Sequence, residues 1–340
     1  MPTLTALLLA DERPGHFHLS DGIIAAARRI RQVEVIRMRI RRRWSGRLLA
    51  LLSNAHFPAD WLLRSAYGIS PSTLPRVDFI VSAGAETLAA SIFIARLTGA
   101  PNIYYGSLRR YSPEGVRLVL TSYASQCHLP HHVMVLKPSA LTRNRPGSAQ
   151  RLKPGITPEC LGLLIGGDSG ECRFDVADWQ HLLSLMGQCH KTYGIRWVVS
   201  NSRRTPSEVS DSLANLTRSG SGPISDFIDV RVEGSGTLGR LLEQVQAVVC
   251  TDDSSSMISE CISAGFAVVG ARPRRAVFHP DERGYRKYLF DNGWYRSIAI
   301  RDLSPDTLLA ELRLIKPMTE DPLDRLASIL RNQLPELFAA

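Results

Sequence analysis

Three short polar segments in the second half of the chain have the residue types that hold a phosphate. Thr251-Asp252-Asp253-Ser254-Ser255-Ser256-Met257-Ile258-Ser259-Glu260 reads as the end of a buried strand, then small polar residues that open a helix at Met257. Unpaired N–H groups and the positive end of the helix dipole suit an anion there. Glu260, about one turn in, is placed to reach ribose hydroxyls. The same residues also make a good helix cap and nothing more. Gly166-Gly167-Asp168-Ser169 follows another strand, and glycine lets a ligand approach the backbone closely. Ser202-Arg203-Arg204-Thr205-Pro206 follows a third, and paired arginines clamp diphosphates. All three segments fall at carboxyl ends of strands, where open α/β sheets bind ligands. That coincidence carries more weight than any one motif.

In the first half, Asp11-Glu12-Arg13-Pro14-Gly15-His16-Phe17-His18 follows the first strand. A base able to deprotonate a hydroxyl is available in Asp11, His16 or His18, with His18 read as a surface residue. Ser82-Ala83-Gly84-Ala85-Glu86-Thr87 forms a second small-residue turn. Cys127-His128-Leu129-Pro130-His131-His132 has metal-binding residue types, but its spacing fits no common zinc pattern and it reads as a loop. No metal site is expected.

The elements that must position these segments alternate. Strands are expected at Thr3–Ala10, Gln32–Ile40, Val77–Ser82, Asn102–Tyr105, Leu118–Thr121 and Val133–Leu136. A loop is expected over Asp11–Leu19, then a helix from Ser20 to Ile30 capped by Ser20 and Asp21, and another over Glu86–Thr98. The pattern restarts with strands at Cys160–Ile165, Arg196–Ser200, Phe227–Val230, Ala247–Thr251 and Ala267–Gly270. Helices are expected over Val176–Tyr193, Glu208–Thr217, Leu238–Gln246 and Met257–Ala264. Such alternation implies parallel βαβ units, here two Rossmann-like halves. The expected domains are 1–140 and 159–307. The Pro- and Gly-bearing stretch 141–158 links them, and a helical segment, 308–340, packs back on the first.

At 340 residues, 44% hydrophobic and 21% charged, the chain has a globular composition with room for two cores. The net charge of +9 is concentrated. Nine arginines and one acid, Glu34, fall between Arg28 and Arg47, a local excess of +8. A spread-out nucleic-acid surface is not expected. Arg39, Arg41, Arg42, Arg43 and Trp44, followed by Leu48–Leu52, Phe57 and Trp61, have the composition of a surface that docks on anionic lipid. A solvated basic face over a helix with core leucines has the same composition. Six cysteines with no Cys-x-x-Cys pair read as reduced thiols. The apolar start, Thr3–Ala10, reads as a strand rather than a signal peptide, and no stretch is long enough to span a membrane. A cytoplasmic protein is expected, with attachment to the inner face of the inner membrane through the basic segment.

Asp11-x-Arg13-Pro14-Gly15-His16, Gly166-Gly167-x-Ser169, Ser202-Arg203-Arg204-Thr205-Pro206 and Asp253-Ser254-x-Ser256-Met257-Ile258-Ser259-Glu260 occur in that order. Over about residues 5–300 the chain resembles the mitochondrial-fission ELM family, the plant "elongated mitochondria" proteins and their bacterial relatives. That family is similar to glycosyltransferases of GT-B type, with two Rossmann-like domains facing a cleft. The resemblance implies transfer of a sugar from a nucleotide-sugar donor, bound as substrate without a cofactor, to a cell-envelope glycan or lipid-linked acceptor. By that likeness Ser254, Ser255, Ser256 and Glu260 hold the nucleotide, and Gly167, Ser169, Arg203 and Arg204 line its diphosphate. Asp11 and His16 are then the catalytic residues, with Arg13, Gly15 and Gly84 on the acceptor side. The chain departs from the family pattern at Leu19, Asp168 and Gly265-Phe266-Ala267, where Gln, Pro and Gly-x-Pro are usual. A sugar-nucleotide epimerase and a non-catalytic membrane adaptor are the alternative expectations.

Overall fold

The computed structural model describes residues 2–12, 14–141, 152, 155–218, 222–234 and 236–339. The chain divides into two compact units, 1–140 with 321–340 and 141–320.

The first unit runs β1 (Leu4–Ala10), α1 (Pro14–Arg28), β2 (Val33–Arg39), α2 (Gly46–Asn54), α3 (Ala59–Tyr67), β3 (Phe79–Ala83), α4 (Leu88–Thr98), β4 (Asn102–Tyr105), β5 (Leu118–Thr121) and β6 (His132–Met134). All six strands are parallel, in the order β2-β1-β3-β4-β5-β6. β1 and β3 are buried almost throughout, as expected of strands covered on both faces. One face packs Leu4, Leu8, Phe79 and Val81 against Ile23 and Ala27 of α1; the other packs Leu7, Leu9 and Ile80 against Leu49, Leu62 and Phe93.

The second unit runs β7 (Cys160–Leu164), β8 (Cys172–Arg173), α5 (Val176–Tyr193), β9 (Arg196–Ser200), α6 (Ser207–Arg218), β10 (Ile224–Ile228), α7 (Val230–Glu233), α8 (Leu238–Leu242), β11 (Ala247–Thr251), α9 (Ser255–Ser263), β12 (Val268–Arg272), β13 (Arg275–Ala276), α10 (Pro280–Asp291), β14 (Tyr295–Ala299) and α11 (Pro305–Leu314). Its main sheet is parallel, in the order β10-β9-β7-β11-β12-β14. A two-stranded ribbon, β8 with β13, lies apart from it. The core gathers around Trp197, Met186, Val249 and Leu308, all fully buried.

The chain then returns to the first unit through α12 (Pro322–Gln333) and α13 (Pro335–Phe338). Leu323, Leu326, Leu330 and Phe338 join the core beside α1, and Phe338 meets Phe79 edge-on at 5.6 Å. Each such buried side chain stabilises the fold by about 1.5–3 kcal/mol. Asp321 caps α12 and pairs with Arg29 at 2.8 Å. The expected closing segment therefore divides: Leu308, Leu309 and Leu312 of α11 pack into the second core, and only α12 and α13 serve the first.

Several sequence expectations are corrected. α1 begins at Pro14, so the expected loop to Leu19 is mostly helix, and Ser20 and Asp21 are mid-helix residues rather than caps. Proline in a first turn lacks only an N–H that the helix leaves unpaired, and its φ is already helical. Ser20 is buried, and Asp21 pairs with Arg37 at 2.6 Å. α9 begins at Ser255, two residues earlier than expected, and β10 begins three residues before the expected strand and ends two residues before that strand's end. α10 and β14 extend the second sheet beyond the strands read from sequence. Most of the expected linker, 142–151 with 153 and 154, lies outside the described residues. Among those residues no helix is long and apolar enough to cross a membrane.

Candidate functional site

Each parallel sheet has one place where the strand order reverses, and loops on either side of it diverge to leave a crevice at the carboxyl edge. In the first unit that place lies between β1 and β3; in the second, between β7 and β11. Four of the segments singled out in the sequence leave these four strands, and Ser202–Pro206 leaves β9, next to β7 in the second sheet.

In the first unit Asp11 follows β1 and Gly84 follows β3. Asp11 is buried, and its Oδ2 lies 2.6 Å from Nδ1 of His16, in the first turns of α1. The His16 side chain is a quarter exposed, against 3% for Asp11. When Nδ1 carries the proton and donates to Asp11, Nε2 is left as the basic nitrogen. Gly84 sits at φ 88, and a Cβ there would collide with the His16 ring. Glycine is required on both counts, backbone conformation and space. The structure thus brings Asp11, His16 and Gly84 together. Gly15 lies in the first turn of α1, and Arg13 lies outside the described residues.

In the second unit the Gly166-Gly167 turn follows β7 and Asp252-Asp253 follows β11. Gly166 N–H donates to Thr251 Oγ1 at 2.7 Å, and Gly167 N–H donates to Asp253 Oδ2 at 3.2 Å. Arg204 donates to the same oxygen at 2.5 Å, and the Thr251 hydroxyl donates to Asp253 Oδ1 at 2.6 Å. The Asp253 side chain is fully buried. A Cβ on Gly166 would strike its carboxylate, and one on Gly167 would strike the Arg204 backbone. Two groups expected on a diphosphate, the Gly167 amide and the Arg204 guanidinium, therefore already hold an internal carboxylate. Burial pushes the Asp253 carboxyl above its usual range, opposed by Thr251, Arg204 and the Gly167 amide. Its side chain occupies an anion position that sequence reading assigned only to ligand. The available signal was an acid directly after a buried strand, beside a glycine turn.

Ser254 caps α9, accepting from Met257 N–H, so its hydroxyl serves the helix. Ser255 and Ser256 are the first two helical residues, where amides have no partner within the helix. Ser259 bonds to the Ser255 carbonyl and the Tyr285 hydroxyl. Glu260 lies half-buried in the second turn. Ser169 closes its own turn, accepting from Cys172 N–H at 3.0 Å. Arg203 is exposed and makes no ion pair among the described residues. Asp168 accepts from Phe174 N–H and from Arg173, which together hold its carboxyl below the usual range.

Asp252 is the anchor of this loop. Fully buried, it accepts from Tyr295 at 2.5 Å, Ser297 at 2.6 Å and Arg286 at 3.1 Å. Arg286 also donates to the Asp252 carbonyl at 2.6 Å and lies 4.2 Å over the Phe278 ring. Burial works against the Arg286 charge, yet Tyr295 and Asp252 hold its pKa above the usual value. These partners come from α10 and β14, elements absent from the sequence reading.

The basic segment divides. Arg42 does not face solvent with its neighbours; it pairs with Glu86 at 2.8 Å and donates to the Ala85 carbonyl. Arg39, Arg41, Arg43 and Arg47 are exposed. Trp44 meets Trp61 edge-on at 5.4 Å. The cysteines are unpaired. His132 bonds to the Pro130 carbonyl at 2.7 Å, and no group of His, Cys, Asp and Glu among the described residues is arranged to hold a metal ion.

Solved structures share this fold across the whole chain. A putative UDP-N-acetylglucosamine 2-epimerase from Listeria monocytogenes is 9% identical, with 98% of each chain covered and a TM-score of 0.58. A UDP-GlcNAc 2-epimerase from Neisseria meningitidis bound to UDP-GlcNAc is 11% identical, covering 98% of this chain and 100% of that one, at 0.54. Acinetobacter baumannii MurG is 12% identical, covering 98% and 99%, at 0.53. At these identities the likeness shows the fold alone, the GT-B arrangement of two parallel-sheet α/β domains. No curated protein matches the sequence. The model of the family described as Mitochondrial fission ELM1 matches residues 125–332, more than half of the chain, and the protein belongs to that family.

Proposed function

We propose that the protein is a nucleotide-sugar-dependent glycosyltransferase acting on a cell-envelope glycan or lipid-linked acceptor. The observation that carries this reading is the pairing of sites with switch points: an Asp–His pair at the first sheet's, and at the second's a glycine turn and the first turn of α9, reached by Arg204 from the β9 loop. The donor diphosphate binds at Gly167, Arg204 and the first turn of α9, with Arg203 and Ser169 at its margin, and Glu260 takes the ribose. A ligand diphosphate displaces the Asp253 carboxylate or sits against it. As the glycosidic bond to the diphosphate breaks, Arg204 and the α9 dipole carry the developing charge. That chemistry requires no metal. His16 Nε2 takes the acceptor proton, and Asp11 stabilises the imidazolium that results.

The same reading includes contact with an anionic membrane. Leu51 and Trp61, on α2 and α3, are 66% and 47% exposed, with Leu48 and Phe57 also exposed. Arg39, Arg41 and Arg43 are exposed close by in the chain. Apolar side chains flanked by exposed guanidinium groups suit a headgroup boundary.

Titration of UDP by calorimetry, followed by assay with a UDP-sugar, tests the donor assignment. Binding that weakens about tenfold or more in Glu260→Ala supports it, because a charged hydrogen bond to ribose is lost. Unchanged affinity in that folded variant rejects it. A changed sugar formed with no acceptor present identifies an epimerase instead.

A further inference from the structure

A cavity in the first unit carries charge that the donor site does not explain. It holds about 300 Å³ and is lined by Arg42, Arg47, Arg109 and Arg110, with Leu88 and Tyr111. That volume falls at the small end of ligand pockets. Glu86 pairs with Arg42, whose side chain is only 19% exposed. Arg47, Arg109 and Arg110 make no ion pair among the described residues. Four cations against one carboxylate leave a net charge of +3 around one small space. Like charges brought together repel, here screened in part because Arg47, Arg109 and Arg110 are exposed, and an anion entering the cavity relieves that repulsion.

The backbone is arranged around the same cluster. Arg109 sits at φ 55, in the left-handed region that a residue with a Cβ disfavours. Strained positions of this kind gather at binding sites. A Cβ on Gly46 would strike the Arg42 guanidinium, so glycine at the start of α2 admits that side chain. The Tyr111 hydroxyl donates to the Gly46 carbonyl at 3.3 Å and ties the two walls together.

We propose that this cavity binds a phosphate or diphosphate group, with Arg47, Arg109 and Arg110 as its contacts and Arg42, held by Glu86, as a fixed wall charge. A carboxylate would leave two of three cations unanswered, whereas a diphosphate matches them in charge and offers several acceptors to planar guanidinium groups. That the ligand is the acceptor substrate rests on the glycosyl-transfer reading; the site itself does not.

The test is calorimetric titration of the full chain with inorganic pyrophosphate at low salt, beside Arg109→Gly, Arg47→Ser with Arg110→Ser, and Arg204→Ala. Glycine suits φ 55, so Arg109→Gly should melt at the same temperature or higher while affinity falls at least about tenfold. The double variant should lose binding as well, and Arg204→Ala should keep it. No pyrophosphate binding by the unaltered chain, or binding lost only in Arg204→Ala, overturns the proposal. A parallel UDP titration separates the two readings. Pyrophosphate bound without UDP sinks the donor assignment and leaves the cavity; UDP bound without pyrophosphate in the arginine cavity sinks only the cavity.

Discussion

Asp253→Asn is the most informative single substitution. The native carboxylate accepts from Gly167, Arg204 and Thr251 while fully buried. Asparagine keeps the shape and one oxygen but removes the charge. Lost attraction to Arg204 is discounted because that side chain is 43% exposed and water can replace its partner. Relief of a buried charge acts in the opposite direction, so the net stability change should stay within about 1 kcal/mol. Binding should respond more strongly. Two unit negative charges about 5 Å apart, at an effective permittivity near 20, repel by ~3 kcal/mol. Asp253→Asn should then tighten UDP by about 10- to 100-fold in a calorimetric titration. The pH dependence follows from the raised carboxyl pKa. The folded chain binds this proton more tightly than the unfolded chain, so its contribution to stability improves as pH falls through the folded value. Arg204 loses its charged partner over the same range. UDP affinity of the native protein, relative to Asp253→Asn, should therefore rise as pH falls below neutral through the raised Asp253 pKa. Unchanged or weaker UDP binding in a folded Asp253→Asn protein would refute the view that this carboxylate holds the ligand's place.

The remaining predictions address the first unit, the loop anchor and the surface. His16→Ala should lower turnover by about 10²- to 10⁴-fold with little change in melting temperature, and full activity in both His16→Ala and Asp11→Ala would place the base elsewhere. Gly84→Ala should destabilise by about 1–3 kcal/mol and also lower turnover, because a Cβ at φ 88 is strained and displaces His16; an unchanged denaturation midpoint would contradict the packing. Arg286→Met should cost about 3–5 kcal/mol by leaving Asp252 buried without its cation, read as a shift in urea midpoint; a neutral result would show that Tyr295 and Ser297 suffice. Liposome co-sedimentation should need anionic lipid, weaken with salt, and drop in Leu51→Ser with Trp61→Ser. Protein left in the supernatant at low salt would reject membrane contact.

Local chemistry made much of this protein legible. Runs such as Leu4–Ala10 and Ala247–Thr251 are too apolar for anything but covered strands, and each is followed by the polar residues that a carboxyl-edge loop needs. The parallel α/β halves, the anion-type segments and the candidacy of Asp11 and His16 follow from local sequence, while the hydrogen bond between those two came from the fold. What spacing could not carry is everything set between distant parts of the chain. Strand order placed β1 beside β3 and β7 beside β11, which turned two pairs of unconnected loops into two sites. The partners of Asp252 lie 34 to 45 residues onward, on elements whose short or polar sequences gave little periodicity to read. Arg42 looked like its neighbours in a basic run, but Glu86, 44 residues away, drew it inward. Asp253 looked like a cap beside a ligand loop, yet folding brought it against Gly167, 86 residues earlier, because a buried carboxylate must find donors and a bare glycine turn supplies one.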